Sequence, residues 1–257
     1  MKIGVCMKQV PAKDAPLRIQ ESVAWVREGE ISYETNEPDN YALEEALRLV
    51  EKQGGEVVVI ALGPERVRQV IKEGLAKGAE RALHITDDEF YKLDPLELAS
   101  ALAGAVREEK FDLLLTGLQS DDHGFGQTGV LLAELLGLPH ATIIMEIQLQ
   151  DGRLKVKREL EAGWFEWVEL PLPAVLTIQS GINKPRYASL KGIMAAKKKE
   201  IRAVPRAEVL PAEVGRSQET RRLYVPEKTK KTEFLKGSAK EMATELLEKL
   251  KHEARVL

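Results

Sequence analysis

Apolar positions fall into two patterns that trade places along the first half of this chain. Short runs with little polar interruption predict strands buried on both faces: Lys2 to Val10 (KIGVCMKQV), Glu56 to Leu62 (EVVVIAL), Arg81 to Ile85 and Phe111 to Thr116 (FDLLLT). Between them apolar side chains recur at helical spacing. Leu43, Ala46, Leu47 and Val50 follow Asn36-Glu37-Pro38-Asp39, and Gly54-Gly55 stops that helix. Val67, Val70, Ile71 and Leu75 follow Gly63-Pro64, and a third helix is expected from about Pro95 to Val106. Strands and helices in this alternation predict an α/β fold: a doubly wound, mostly parallel, Rossmann-like sheet with right-handed crossovers.

Two stretches break the alternation. Ala24-Trp25-Val26 and Ile31-Ser32-Tyr33 flank Glu28-Gly29-Glu30, which suits a β-hairpin. Later, Thr142 to Gln150, Leu154 to Lys157 and Trp164 to Leu170 read as appended antiparallel strands, with Asp151-Gly152 as a hairpin turn. Pro173 to Gln179 is one more apolar strand, after which Lys184 to Arg202 turns basic and Arg206 to Thr232 carries little periodic signal, so the core is expected to end there. Glu233 to Leu250 places Phe234, Met242, Leu246, Leu247 and Leu250 near one helical stripe, too little apolar surface to fold alone. The expected division is a nucleotide-binding domain over residues 1–225 and a C-terminal arm over 226–257.

Composition narrows the function classes. With 38 basic and 41 acidic residues the net charge is −3, so no overall field points to nucleic acid. The single cysteine cannot form an internal disulfide, which fits a reducing compartment. The apolar runs are far shorter than the ~20 residues that span a bilayer, and Lys8 interrupts the first of them before it could act as a secretory signal. A cytoplasmic protein without membrane insertion is expected.

The richest stretch for chemistry is Gly117 to Gly129 (GLQSDDHGFGQTG), between a buried strand and a helix expected from Val130 to Leu136. Loops at the carboxyl ends of parallel strands are where open α/β sheets bind ligands. Glycines there let backbone N–H groups approach an anion, and the helix that follows adds free amides and the positive end of its dipole. Residues 124–129 spell G-x-G-x-x-G, but they begin seven residues after the strand closes, and the acid at the right distance, Asp151, sits in the expected hairpin turn. That context argues against a conventional NAD site. No phosphate-binding loop of the G-x-x-x-x-G-K-[ST] type occurs. A merely connecting loop is the plain alternative. Asn36 and Asp39 could meet an adenine edge or a ribose, or could simply cap a helix. Cys6 reads as packing, the four histidines have no metal-ligand spacing, and no acid/base pair or G-x-S-x-G elbow appears. The residues describe a binder of a nucleotide better than a catalyst acting on one; a stand-alone ATP- or AMP-binding α/β protein remains an alternative reading.

Three segments, Lys2 to Val10, Gln119 to Gly129 and above all Asn183 to Lys199 (NKPRYASLKGIMAAKKK) after LPLPAVLTIQSGI, resemble the beta subunits of electron-transfer flavoproteins. The resemblance implies a heterodimer whose alpha subunit holds most of the FAD, while the beta chain carries a structural AMP, helps shape the flavin pocket and does no bond chemistry itself. FAD reduced by acyl-CoA and related dehydrogenases would then pass electrons to a membrane quinone oxidoreductase. Carried over by matching position, AMP contacts fall on Cys6, Asn36, Glu37, Pro38, Asp39, Leu62, Ser120, Asp121, Asp122, His123, Gly124, Phe125, Gly126, Gln127, Thr128, Gly129, Val130 and Leu131. The chain departs from the family pattern at Gly124-Phe125-Gly126, and near Lys13 it lacks an aromatic residue that some relatives place beside the flavin. The segment after Arg186 resembles the family's recognition loop, in which a leucine, here Leu190, anchors partner dehydrogenases. Tyr187, Ile193 and Met194 would flank it, with Lys197, Lys198 and Lys199 as the surrounding charge. The C-terminal arm would lie on the alpha subunit.

Overall fold

The computed structural model describes residues 1–20, 22, 25–150, 152–210, 214–226 and 232–257. Its strands are β1 (Lys2–Cys6), β2 (Gln9–Pro11), β3 (Ile19–Gln20), β4 (Trp25–Val26), β5 (Tyr33–Thr35), β6 (Glu56–Gly63), β7 (Arg81–Thr86), β8 (Leu113–Gly117), β9 (His140–Gln150), β10 (Arg153–Glu159), β11 (Phe165–Pro171), β12 (Ala174–Ile178) and β13 (Ile201–Pro205). The helices are α1 (Glu37–Gln53), α2 (Arg68–Lys77), α3 (Pro95–Val106), α4 (Thr128–Leu136), α5 (Leu190–Ala196), α6 (Arg206–Val209) and α7 (Ala239–Glu248). The chain divides into two units, Met1–Leu223 and Tyr224–Leu257.

Nine strands form the main sheet in the order β11-β10-β9-β12-β8-β1-β6-β7-β13. The seven from β9 to β13 pair in parallel, and β10 and β11 extend the sheet antiparallel from β9. The two-residue period of a strand sorts the core into two layers. Val57, Val59 and Ala61 of β6 pack with α1 and α2, whereas Val58 and Ile60 pack with α3 and α4. The first two crossovers, β1 to β6 and β6 to β7, carry α1 and α2 on one face. The chain then returns through α3, on the other face, to place β8 on the far side of β1. Connections therefore leave β1 and β8 in opposite directions, and a crevice opens between their carboxyl ends.

Local sequence explains where the helices begin and end. α1 starts with Pro38 inside its first turn beside the acids Glu37 and Asp39, and stops at Gly54, whose φ of 76° a β-carbon would resist. α3 opens with a reciprocal capping box, Asp94 and Glu97 each accepting from the other's backbone N–H.

Several expectations need correction. Lys2 to Val10 is two strands: after Cys6 the Lys8 N–H goes to the Asp39 carboxylate, and Gln9–Pro11 pairs antiparallel with β5 in a separate small sheet. The expected hairpin between Trp25-Val26 and Tyr33 does not form. β4 pairs with β3, Tyr33–Thr35 pairs with β2, and Glu28–Glu30 is a single 3-10 turn. Ala24, in one strand of the first expected hairpin, and Asp151, in the turn of the second, lie outside the described residues. The stretch read only as basic, Lys184 to Arg202, runs into a further strand, since β13 pairs in parallel with β7. Its short Ile-Arg-Ala-Val-Pro run lies at the sheet edge, where half-exposed positions erase the apolar signal. In the second unit the helix starts at Ala239, after the Ser238–Glu241 capping box, and not at Glu233. None of its residues is buried.

At the amino ends of β1, β6, β7 and β13 a charge network joins strands distant in sequence. Glu109 accepts from Arg81 at 2.7 Å and from Lys2 at 2.8 Å, with Arg202 at 3.5 Å. Hydrogen bonding from Arg81, with Lys2 beside it, holds the Glu109 carboxyl at about 2. A depressed folded-state value gives stability that is complete above the unfolded value of 4.5 and is lost as pH falls towards about 2. Glu109→Gln is expected to cost about 2 kcal/mol near neutral pH, read as a drop of several degrees in the melting transition. The gap between variant and wild type should close in acid; a gap independent of pH would show the network idle.

Candidate functional site

The crevice at the switch point is built from backbone first. α1 points its first turn at the gap between β1 and β8, and there Asp39 is 5% exposed. One of its oxygens accepts from Lys8 N at 2.7 Å and the other from Gly117 N at 3.0 Å, so a single carboxylate spans the two diverging strand ends. A β-carbon on Gly117 would sit 2.3 Å from Asp39 Oδ1, so glycine is required for this approach. Asn36 repeats the device one turn earlier: its Nδ2 donates to Gln119 O at 3.0 Å and its Oδ1 accepts from Asp121 N at 2.9 Å. Burial pushes the Asp39 carboxyl up to about 7 against these donors, and burial, with Asp39 nearby, pushes the Cys6 thiol up to about 12. Cys6 is inert packing at the end of β1, as its sequence context predicts.

A cavity of about 420 Å³ lies over these strand ends. Among the expected site residues, Cys6, Asn36, Asp39, Leu62, Ser120, His123, Phe125, Gly126, Gln127 and Thr128 line it. Glu37, Pro38, Asp121, Asp122, Gly124, Gly129, Val130 and Leu131 do not; several of them hold the walls from behind. Asp121 accepts from Glu37 N at 3.1 Å, and Asp122 takes the Lys8 ammonium at 2.6 Å. Gly129 lets α4 settle on β8 and β12, since a β-carbon there would meet Thr177 Cγ2 at 2.5 Å. Gly124 and Gly126 serve differently. Their φ values are 64° and 62°, and beyond the adjacent residues the nearest atoms to a β-carbon built on them are Ser120 O at 4.0 Å and Leu118 O at 3.8 Å. The loop therefore turns where side chains resist turning, and it stays open above. No side chain caps the first turn of α4, which begins at Thr128.

Sequence reasoning missed two walls. The loop after β7, Phe90 to Pro95, faces the cavity, as does Leu98 of α3. Since a carboxyl-end loop beside the switch point must face the crevice, the topology alone would have found it. The other wall, Arg216 to Thr220, has no periodic signal, and nothing in the sequence betrays it. Aromatic rings close one side of the mouth: Phe125 stacks on His123 at 5.4 Å, His123 meets Trp25 at 5.6 Å, and Trp25 stacks on Tyr91 at 5.5 Å.

The expected docking residues gather elsewhere. Ser189 caps α5, and Arg186 is pinned by Glu44 and Glu51 of α1. On this support Tyr187 is 94% exposed, Leu190 83% and Met194 62%, so Leu190 is no core residue. Ile193 is also exposed, as are Lys197 and Lys198. Lys199 is committed otherwise: its ammonium donates to Leu75 O and Ala79 O at the end of α2.

Asp39 gives a direct check on the electrostatics. Its raised value means that the folded protein keeps a proton the unfolded chain has released, so its stabilising contribution is complete below 3.8 and is lost as pH rises through about 7. Asp39→Asn cannot titrate. Between about pH 4 and pH 8, the difference in unfolding free energy should move in the variant's favour; a constant difference would mean an ordinary carboxylate.

The model of the electron transfer flavoprotein domain matches residues 23–209. The chain is 39% identical over 257 residues to an electron transfer flavoprotein subunit beta of Methylophilus methylotrophus, covering 96% of this chain and 97% of the relative. It is 36% identical over 260 residues to that of Bradyrhizobium diazoefficiens, covering all of both. A human protein of the same name is 36% identical over 207 residues, 79% of this chain and 81% of the relative. With the doubly wound sheet, these matches establish that the chain belongs to the electron transfer flavoprotein family, among its beta subunits.

Proposed function

We propose that this chain pairs with an electron-transfer flavoprotein alpha subunit, holds a structural AMP in the crevice between β1 and β8, and presents Leu190 to partner dehydrogenases. The observation that carries the nucleotide reading is the pair of open, positive-φ glycines leading into an uncapped helix at the switch point of the sheet. The lining fits a monophosphate better than a triphosphate. Each Lys or Arg in the wall is already paired: Lys8 with Asp122, Lys92 with Glu89 and Arg216 with Glu97. Backbone amides are left as the anion's donors, together with the Thr128 hydroxyl. Leu62, Leu98 and Leu102 supply an apolar end for a base.

FAD, held mainly by the alpha subunit, supplies the electron-accepting and electron-donating group when bound. This chain's part is to shape one wall of that pocket, hold the adenylate as a rigid insert and bring dehydrogenases close. It performs no bond chemistry. Leu190, flanked by exposed Tyr187 and Met194 and fixed from behind by Arg186, fits a small apolar anchor on a transient interface. Lys197 and Lys198 add steering charge. Leu246 and Leu247 of α7, both exposed, fit an arm laid on the alpha subunit. No helix among the described residues is long and apolar enough to cross a membrane.

Denaturing the purified heterodimer should release one equivalent of AMP, identified by mass spectrometry, beside the yellow flavin. ATP turnover by this chain alone would favour a stand-alone nucleotide-binding protein instead. Leu190→Ala should slow electron transfer from dehydrogenases about tenfold or more with flavin content intact, as removal of a hot-spot side chain does; loss of FAD would show a structural residue. Deleting the residues after Thr232 should weaken heterodimer formation, and an unchanged dimer would refute the arm's role.

A further inference from the structure

One wall of the cavity is unlike the others. Residues 216–220 carry no helix or strand, yet hydrogen bonds tie them to the starts of α3 and α4, and Arg216, Gln218, Glu219 and Thr220 line the cavity. They are held mainly by one carboxylate. Asp94 is 5% exposed, and its two oxygens have separate duties. Oδ1 accepts from Glu97 N at 2.8 Å and caps α3. Oδ2 accepts three hydrogen bonds from the crossing segment: from Ser217 N, from Ser217 Oγ at 2.8 Å and from Gln218 N at 3.0 Å. Arg216 adds a bond to Lys92 O at 2.8 Å and a contact with Glu97 at 3.3 Å. On the far side Gln218 Nε2 reaches Gln127 Oε1 at 3.2 Å, beside the open glycines.

The chemistry of this arrangement is that of a latch. A carboxylate oxygen facing three donors holds them more firmly than neutral acceptors would. When the segment lifts, Oδ2 and its donors meet water, so the opened state is costly but not prohibitive. The cap on α3 survives opening because it uses the other oxygen. The strand ends and α4, by contrast, cannot move without breaking the sheet ladder or the core.

We propose that residues 216–220 form a strap latched by Asp94 Oδ2 and that opening of this latch sets the rate at which the nucleotide enters and leaves the cavity. The proposal rests on the reading of the cavity as an adenine-nucleotide site. Asp94 is a positioning residue, acting through Ser217 and Gln218.

The test uses the whole heterodimer loaded with radiolabelled AMP and chased with excess unlabelled AMP. Asp94→Asn keeps an oxygen for the Glu97 amide but turns an NH2 group towards the three donors. Label should leave this variant about tenfold faster or more than wild type. Ser217→Ala, which leaves Asp94 and the α3 cap untouched, removes one of the three bonds and should speed exchange by a smaller factor. Exchange at the wild-type rate in both variants overturns the latch. Acceleration in Asp94→Asn with none in Ser217→Ala assigns Asp94 to the helix cap and overturns it too. Wild-type heterodimer that takes up no AMP removes the nucleotide reading itself, and the latch with it; unchanged exchange of bound AMP removes the latch alone.

Discussion

Two parallel strands that send their connections in opposite directions have no hydrogen bonds of their own beyond the point where they part. Here a buried carboxylate supplies them. Asp39 takes a backbone N–H from the end of β1 with one oxygen and from the end of β8 with the other. Burial raises its pKa to about 7, a measure of how unfavourable the position is for a charge. The position is tolerated because both oxygens are satisfied, and because α1 directs its amino end at them. Gly117 must be bare for the carboxylate to fit, Asn36 must tie down the loop that follows, and the cavity above exists only while the gap is held open in this way. The rest of the site depends on that spacing.

Much of this was legible from residue patterns, and the reasons are local. β6 reads as a strand because Val57 to Ala61 is buried on both faces, which leaves no helical stripe to confuse it. α1 announces itself through Asn36-Glu37-Pro38-Asp39 at its start and Gly54-Gly55 at its end. The Gly117–Gly129 loop could be placed at the site because its glycines sit between a buried strand and a helix. Three other features were not legible. β13 lies at a sheet edge, where half its side chains face water and the apolar signal fades. The pairing of β2 with β5 is set by Asp39 taking the Lys8 N–H, an interaction 31 residues apart in sequence that no window reveals. The strap has no periodicity at all, since it is held by hydrogen bonds to a side chain and not by burial.

The distribution of charge separates two kinds of work. Cations in the wall of the cavity are consumed by acids of the fold: Lys8 by Asp122, Arg216 by Glu97. On the proposed reading an anion there is held by amides and dipoles, which suits a monophosphate more than a triphosphate. Around Arg186 the arrangement is reversed. Arg186 is locked by Glu44 and Glu51, while Tyr187, Leu190 and Met194 beside it remain exposed. On the proposed reading one surface retains a ligand and the other meets partners transiently.

The most direct test of the central claim is amide hydrogen exchange on the heterodimer, stripped of nucleotide and then supplied with AMP. Protection should rise at the ends of β1 and β8, in residues 119–131 and in residues 216–220, and stay flat around Leu190. No change in those segments on adding AMP, or protection confined to another part of the chain, would contradict the account.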